Sequence, residues 1–158
     1  MIRITRQTDY GIVLLIRFTS PVGAAIRNAR DLAEQCLLPV PMVSKILKAL
    51  ARGGILASRR GVTGGYALAR APAEITLAEI LVALEGPIAV TACIEHGVEG
   101  VCSLEPTCPS RSHWHRINEA VRHAIEGVTL DDLAHPFPLG AAAGSVPGDV
   151  VVSEGGAR

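Results

Sequence analysis

Apolar residues recur at steps of three and four in the first third of the chain, a spacing that predicts amphipathic helices. A first helix is predicted over residues 6–19, with Thr5 as its N-cap. Its apolar face carries Ile12, Leu15, Ile16 and Thr19. A second helix is predicted over residues 29–37, where Asn28 is the N-cap and Asp31 nearly completes a capping box. The chain therefore begins with two short helices.

A third predicted helix has one apolar and one basic face. It follows a break at Leu38–Pro39 and ends at Gly53–Gly54. Its apolar stripe consists of Val43, Ile46, Leu47 and Leu50. Lys45, Lys48 and Arg52 lie away from that stripe. Two short helices joined by a tight turn, the second basic on its outer side, are typical of a helix-turn-helix.

Two short segments after the third helix predict a β-hairpin. Residues 55–60 and 65–70 have strand-like composition and flank a glycine-rich turn, and the first segment carries Arg59 and Arg60. A basic hairpin directly after a basic helix is typical of a wing, which reaches phosphates or the minor groove. The glycines also suit an ordinary flexible turn. A P-loop is excluded because no Gly-Lys-Ser/Thr follows them.

The second half of the chain predicts one capped helix and one longer helix. Thr76 and Glu79 form a capping box, and Gly86–Pro87 ends that helix. Helical periodicity returns from Ser110 to about Glu126. Its narrow apolar seam consists of Trp114, Ile117, Val121 and Ile125. This seam predicts a dimerisation helix, and burial of the same seam within one subunit is the alternative.

The net charge of zero conceals two oppositely charged halves. Residues 1–70 hold eleven lysines and arginines against three acids, a net charge of +8, and the remaining residues carry −8. This asymmetry indicates a polyanionic partner for the first half. No apolar run approaches the roughly 18 residues of a membrane span. Because no signal segment is recognisable either, we expect a cytoplasmic protein without a membrane partner.

Three of the four cysteines fall within sixteen residues, and Cys36 stands apart on an apolar helix stretch. Cys93, Cys102 and Cys108 follow the pattern Cys-x8-Cys-x5-Cys in a segment without helical periodicity. Structural zinc usually takes close pairs such as Cys-x2-Cys, whereas wide spacing on an irregular loop suits a larger cluster. An iron–sulfur cluster is therefore favoured. Structural zinc and a metal-free thiol switch are the alternatives.

Several motifs together resemble the Rrf-type family of winged-helix regulators, over about residues 1–134. They are Arg60-Gly61 before Gly64-Gly65-Tyr66, the helix end Leu84-Glu85-Gly86-Pro87, and the cysteine triplet. Within the family, the chain is most similar to regulators of the SUF iron–sulfur assembly system. The resemblance implies a homodimer that binds a palindromic operator in double-stranded DNA. It also implies a cluster of the 2Fe-2S or 4Fe-4S type on Cys93, Cys102 and Cys108.

The resemblance also carries over residue roles. The DNA-binding residues would be Pro41, Met42, Ser44, Lys45, Lys48, Arg59 and Arg60. Some relatives use a glutamate at the position of Ser44 to discriminate cytosine, so the operator preference is expected to differ. For the fourth cluster ligand, Asp9 matches the carboxylate of nitric-oxide-sensing members. His113 and His115 are alternatives, but Arg111 stands at the family's histidine position, which counts against a histidine ligand. Asp9 is therefore favoured, and a surface carboxylate at a helix N-terminus is its alternative interpretation.

The predicted fold class is mainly α with a small β-hairpin wing: a winged helix-turn-helix domain plus a long C-terminal dimerisation helix. Its segments are the DNA-binding domain (1–86), a cluster-binding loop (87–109), the dimerisation helix with a short terminal helix (110–134), and a disordered tail (135–158). The predicted function is a regulator, a repressor of iron–sulfur assembly genes, that senses cluster status, oxidant or nitric oxide. A structural zinc site or a small electron carrier are the rival interpretations. No enzymatic activity and no small-molecule substrate are expected.

Overall fold

The computed structural model describes residues 4–20, 26–61, 64–94 and 107–135. Within these ranges the helices are α1 (Arg6–Thr19), α2 (Ala29–Cys36), α3 (Val40–Arg52), α4 (Leu77–Glu85), α5 (Arg111–Glu126) and α6 (Leu130–Ala134). The strands β1 (Leu56–Arg59) and β2 (Gly65–Leu68) pair in antiparallel fashion, with Leu56 opposite Leu68. This mostly helical architecture with one hairpin confirms the predicted fold class. The predicted disordered tail lies outside the described residues, apart from His135.

The core is built from branched aliphatic side chains of the first three helices. Fully buried members include Leu14 and Leu15 of α1, Leu32 of α2, and Ile46 and Leu50 of α3. Removal of each such side chain from water is worth about 1.5–3 kcal/mol, so this cluster holds the helix-turn-helix together. The predicted stripe of α3 is buried as expected.

The buried face of α1 differs from the predicted one. Thr8, Gly11, Leu14 and Leu15 are the buried residues of this helix. Of the predicted stripe, only Leu15 is fully buried, and Ile12 and Ile16 pack at the edge of the core. The reason is tertiary: α4 and α6 also pack against α1, so α1 lies between two groups of neighbours.

The hairpin is attached to the segment before α2 by a backbone bridge. Tyr66 N donates to Arg27 O and Arg27 N donates to Tyr66 O, both at 2.8 Å. Gly65 makes this approach possible, because a Cβ atom on it would lie 2.5 Å from Arg27 O. Packing against Arg27 therefore requires glycine at position 65, so the glycine-rich motif is more than an ordinary flexible turn.

Two capping boxes lie where α6 meets α4. Thr76 and Glu79 cap α4, and Thr129 and Asp132 cap α6. The two caps lie side by side, since Leu77 N donates to Val128 O at 2.8 Å and Leu130 N donates to Ile75 O at 2.8 Å. Leu130 is fully buried and belongs to the same core as α1 and α3. The chain therefore returns to the first domain after α5.

The long helix α5 is mostly exposed. It packs on α4, and Asn118 is its buried residue. No helix in the described part of the chain is long and apolar enough to cross a membrane. The apolar seam of α5 is thus covered only in part within one subunit: Trp114 and Ile117 are exposed, and Val121 and Ile125 are half-buried.

The tight approach at Gly65 gives a stability prediction. We expect Gly65→Ala to lower the free energy of unfolding by about 1–3 kcal/mol, the usual cost of forcing atoms into a packed site. Gly127→Ala is the matched control, because Gly127 has φ −72° and a Cβ there would lie 3.5 Å from its nearest neighbour. Urea unfolding followed by circular dichroism measures both. Equal urea midpoints for Gly65→Ala and Gly127→Ala would contradict the conclusion that Gly65 is required for the contact with Arg27.

Candidate nucleic-acid interface and cysteine segment

The outer face of α3 is exposed and carries two lysines. Pro41, Met42, Lys45 and Lys48 are exposed, and Ser44 is half-buried. The helix begins at Val40 without a capping side chain and without an acidic residue in its first turn. Its N-terminal dipole is therefore available to an anion outside the protein.

A groove of about 510 Å³ separates α3 from the hairpin. Its lining residues are Lys45, Lys48, Ala51, Arg52, Ser58 and Tyr66. Ser58 and Tyr66 are directly opposite each other in the hairpin register, so both side chains project toward the same side. Ser58 and Tyr66 were not among the predicted DNA-binding residues. The alternation of positions along each strand is the signal that could have found them.

The first helix contributes to the same face. Arg6, Gln7 and Tyr10 line a second groove, of about 410 Å³, together with residues from the start of α3. Among those α3 residues is Lys45, which also lines the groove beside the hairpin. The two grooves therefore form a continuous basic surface across α1, α3 and the hairpin, and the α1 part of it was not predicted.

The lysines of this surface make no ion pair with any carboxylate of the described residues. Lys45 and Lys48 are exposed, as are the hairpin residues Arg59 and Arg60, and none of the four forms a salt bridge within the part of the chain that the structure describes. In the acidic half, by contrast, Arg122 pairs with Glu126 at 3.0 Å. Unpaired cations on one face produce a positive potential that attracts a polyanion.

Two of the three clustered cysteines lie at the ends of one connecting segment. Cys93 is half-buried in a 3-10 turn at Ala92–Ile94, and its Sγ lies 3.2 Å from Thr91 Oγ1. That turn packs on α5, and nearby Val90 N donates to Asn118 Oδ1 at 3.2 Å. Cys108 is half-buried just before α5, and its carbonyl accepts from Arg111 N at 3.4 Å. Cys102 lies outside the described residues.

The donor chemistry of this segment fits an iron–sulfur cluster. Cys93 and Cys108 are free, and their thiols are soft ligands of the kind that iron–sulfur clusters take. In the part of the chain that the structure describes, no three His, Cys, Asp or Glu side chains are gathered around a metal position. Asp9, His113 and His115 are exposed. Their proposed roles as fourth ligand stay predictions.

Glu85 joins the entry of the cysteine segment to the start of α1. It is the last residue of α4, and its Oε1 accepts from Thr5 N at 3.1 Å and from the Thr8 hydroxyl. These hydrogen bonds, the one from Thr8 first, lower the pKa of Glu85 below its usual value of 4.5, against an opposing effect of desolvation. Thr8 N in turn donates to Thr5 Oγ1 at 3.4 Å. The result is a capping box whose carboxylate comes from another helix.

The chain direction after Glu85 is set by Gly86. Its backbone has φ 98° and ψ −165°, a conformation that is essentially restricted to glycine. Gly86 N donates to Val82 O at 3.1 Å and ends α4. Pro87 follows, and the segment then runs to Cys93. Gly86 therefore sets the direction in which the chain leaves α4. The cysteine segment begins next to Glu85, the residue that holds the start of α1.

A helix-turn-helix with a basic outer helix and a basic hairpin defines a winged-helix DNA-binding transcription regulator. Residues 4–136 match the sequence profile of the Rrf2 family, which is described as iron-dependent transcriptional regulators. The chain belongs to the Rrf2 family. This finding confirms the resemblance inferred from the sequence motifs.

Curated relatives support the same assignment. The chain is 30% identical over 132 residues to the transcriptional regulator CymR of Bacillus subtilis, covering 84% of this chain and 89% of that protein. It is also 30% identical to the transcriptional regulator NsrR of Geobacillus kaustophilus, covering 83% of this chain and 88% of the relative.

Solved structures show the same fold. CymR of B. subtilis, described as a global cysteine regulator, superimposes with a TM-score of 0.63 at 28% identity, covering 85% of this chain and 97% of that chain. IscR of T. potens gives a TM-score of 0.58 at 23% identity over 84% of this chain and 85% of that chain, which indicates a shared fold.

The bond network around Glu85 predicts a pH-dependent contribution to stability. Its lowered pKa means that the stabilisation is complete above the unfolded value of about 4.5 and is lost as the pH falls through the folded value. We expect Glu85→Gln to lower the free energy of unfolding at pH 7 by about 0.5–1.5 kcal/mol, the range of a typical hydrogen bond. The loss should shrink as the pH falls through the lowered pKa of Glu85.

Thermal unfolding of both proteins between pH 3 and pH 7 tests this prediction. Glu34→Gln, at an exposed carboxylate on α2, is the control and should change stability little. The contrary outcome is that the unfolding temperatures of the Glu85 variant and the parent differ by the same amount at every pH. That result would show that the carboxylate charge does not hold α1.

Proposed function

We propose that this regulator binds a palindromic operator as a homodimer, and that an iron–sulfur cluster on Cys93, Cys102 and Cys108 controls its affinity. The observation that carries the DNA-binding part is the continuous surface of unpaired cations across α1, α3 and the hairpin. The controlled genes are proposed to be those of iron–sulfur cluster assembly, with the protein acting as a repressor.

The base-reading element is the exposed first half of α3. Pro41, Met42, Ser44 and Lys45 project from the first two turns, where side chains of a recognition helix meet base edges. Lys48 lies further along the same outer face. Ser44 has a short hydroxyl that donates and accepts, so it tolerates more than one base. In a two-fold dimer the two α3 helices would enter major grooves about 34 Å apart.

Phosphate contacts are assigned to the flanking cations. Arg59 ends β1 and Arg60 follows it at the tip of the hairpin, and both residues are exposed. Phosphate contacts set position and orientation on the duplex without reading sequence. The acidic second half of the chain repels the duplex and keeps contact on this face.

A change at the cysteine segment would reach the DNA-binding surface through Glu85 and α1. It begins just after Glu85, whose carboxylate holds the first turn of α1. That turn carries Arg6 and Gln7, which line a groove with the start of α3. A bound cluster supplies a group that oxidants, nitric oxide or iron limitation can alter. If loss or alteration of the cluster changed the free energy of operator binding by about 1–3 kcal/mol, operator affinity would change 5- to 150-fold.

Structural zinc on the same cysteines is the second candidate. The specific observation that favours a cluster is the absence of a close cysteine pair in Cys-x8-Cys-x5-Cys, together with the family description as iron-dependent. Asp9 is proposed as the fourth ligand, contributed from the first turn of α1.

Removal of the two hairpin arginines tests the DNA interface. We expect Arg59→Ala with Arg60→Ala to weaken operator binding and to reduce the slope of log affinity against log salt by about one unit per lost phosphate contact. Fluorescence anisotropy with DNA from the protein's own promoter region, at several salt concentrations, measures both. Arg116→Ala, at an exposed arginine on α5, is the control and should leave the slope unchanged. An unchanged slope in the double variant would remove the hairpin from the interface.

Cysteine variants prepared without oxygen test the metal centre. We expect the parent protein to be coloured and to contain iron and acid-labile sulfide, and Cys93→Ser and Cys108→Ser to lose both. Cys36→Ser is a matched control, because Cys36 packs at the edge of the core on α2 and should keep the colour. A colourless parent protein with stoichiometric zinc would establish the structural-zinc candidate instead.

A further inference from the structure

The hydroxyl of Thr91 lies against the sulfur of Cys93. Thr91 Oγ1 and Cys93 Sγ are 3.2 Å apart, a hydrogen-bonding distance for a pair that includes sulfur. While the thiol keeps its proton, either atom can be the donor. A cysteine that binds a metal does so as the thiolate, which has no hydrogen to donate. In the metal-binding form of Cys93, the Thr91 hydroxyl is therefore the donor and the sulfur is the acceptor.

The contact belongs to one short turn of the backbone. Thr91 comes immediately before the 3-10 turn at Ala92–Ile94, and its carbonyl accepts from Ile94 N at 3.1 Å. Ile94 is 6% exposed, so the end of the turn is held against the protein. The hydroxyl and the sulfur are only two residues apart in the sequence, so their approach depends on this turn and on no distant element. Cys93 therefore keeps its hydroxyl partner when it acts as a ligand.

A buried amide of α5 fixes the same turn from the other side. Asn118 is 5% exposed, and its Oδ1 accepts from Val90 N at 3.2 Å, one residue before Thr91. A buried amide oxygen that lost this partner would be costly, so the hydrogen bond to Val90 is maintained. The 3-10 turn itself also packs on α5. The backbone is thus held on both sides of Thr91.

A hydrogen bond to a ligand sulfur changes the reduction potential of a metal centre. Hydrogen bonds are stronger when the acceptor carries more negative charge. One-electron reduction of an iron–sulfur cluster adds one negative charge and breaks no bond, and part of that charge resides on the ligand sulfurs. A hydroxyl donor therefore stabilises the reduced form more than the oxidised form. Hydrogen bonds to the sulfurs are among the features by which proteins set this potential.

We propose that the Thr91 hydroxyl donates to the Cys93 sulfur of the bound iron–sulfur cluster and raises the reduction potential of that cluster, with Asn118 positioning the turn. This inference rests on the cluster of the proposed function and adds a residue that tunes it. In this assignment Thr91 is not a metal ligand. It acts through the sulfur of Cys93 as a positioning residue.

The variants Thr91→Val and Thr91→Ser test the hydroxyl. Valine keeps the branched shape and removes the donor, whereas serine keeps the donor. A redox titration in which dithionite supplies the electron, followed by visible absorption, measures the potential. We expect Thr91→Val to make reduction about tenfold less favourable, a decrease of about 59 mV for a one-electron couple. Thr91→Ser should keep the parent potential.

Thr107→Val is the matched control and should leave the potential unchanged. Thr107 is exposed and precedes Cys108, and within the described part of the chain its side chain makes no hydrogen bond to the Cys108 sulfur. The potential does not depend on the amount of cluster, so a partly loaded variant still gives a value. An unchanged potential in Thr91→Val, or equal decreases in the valine and serine variants, overturns the proposal. Complete loss of iron from Thr91→Val also overturns it, since the hydroxyl would then be needed to hold the metal rather than to tune it.

Resonance Raman spectra of the oxidised protein give a readout that needs no electron transfer. Loss of the donor leaves more charge on the Cys93 sulfur for its bond with iron. The iron–sulfur stretching bands of Thr91→Val should therefore lie at higher wavenumber than those of the parent and of Thr91→Ser. Identical bands in all three proteins overturn this inference alone, because iron and acid-labile sulfide would still establish the cluster. A parent protein without iron overturns the proposed cluster itself, and the role of Thr91 with it.

Discussion

The carboxylate of Glu85 is the contact on which the arrangement of the two halves depends. It accepts the backbone N–H of Thr5 and the hydroxyl of Thr8, and so completes the N-terminal cap of α1 from the far end of α4. Thr8 is fully buried, and Glu85 satisfies its hydroxyl. A buried hydroxyl without a partner would be costly, which fixes the two helices relative to each other. The last residue of α4 therefore holds the first turn of α1 in place.

The last described helix is attached to the core by contacts of a similar kind. The caps of α4 and α6 lie side by side, and Leu130 returns the C-terminal helix to the first core. Among the described helices, α5 is the most exposed, and its apolar seam is partly open to water. The fold thus separates a basic face across α1, α3 and the hairpin from a thiol-bearing connection and from the exposed helix α5.

Local signals made much of this fold predictable. The caps at Thr5 and Thr76 act within three residues, and both helices begin where those signals lie. The partner of Thr5 is eighty residues away, so no local pattern indicates it. The same reason hides Leu130 from sequence analysis, because its burial depends on contacts with the first domain. At the site, the outer face of α3 follows from helical spacing, whereas the contribution of Tyr10 follows only from the packing of α1 beside α3.

The backbone of Gly86 has a consequence for the stability of the contact between α1 and α4. Any other residue at φ 98° and ψ −165° would be strained. A side chain at position 86 would therefore disturb the end of α4, where the neighbouring Glu85 accepts from Thr5 and Thr8. The hold on the first turn of α1 thus depends on a residue that has no side chain and makes no contact with α1 through one.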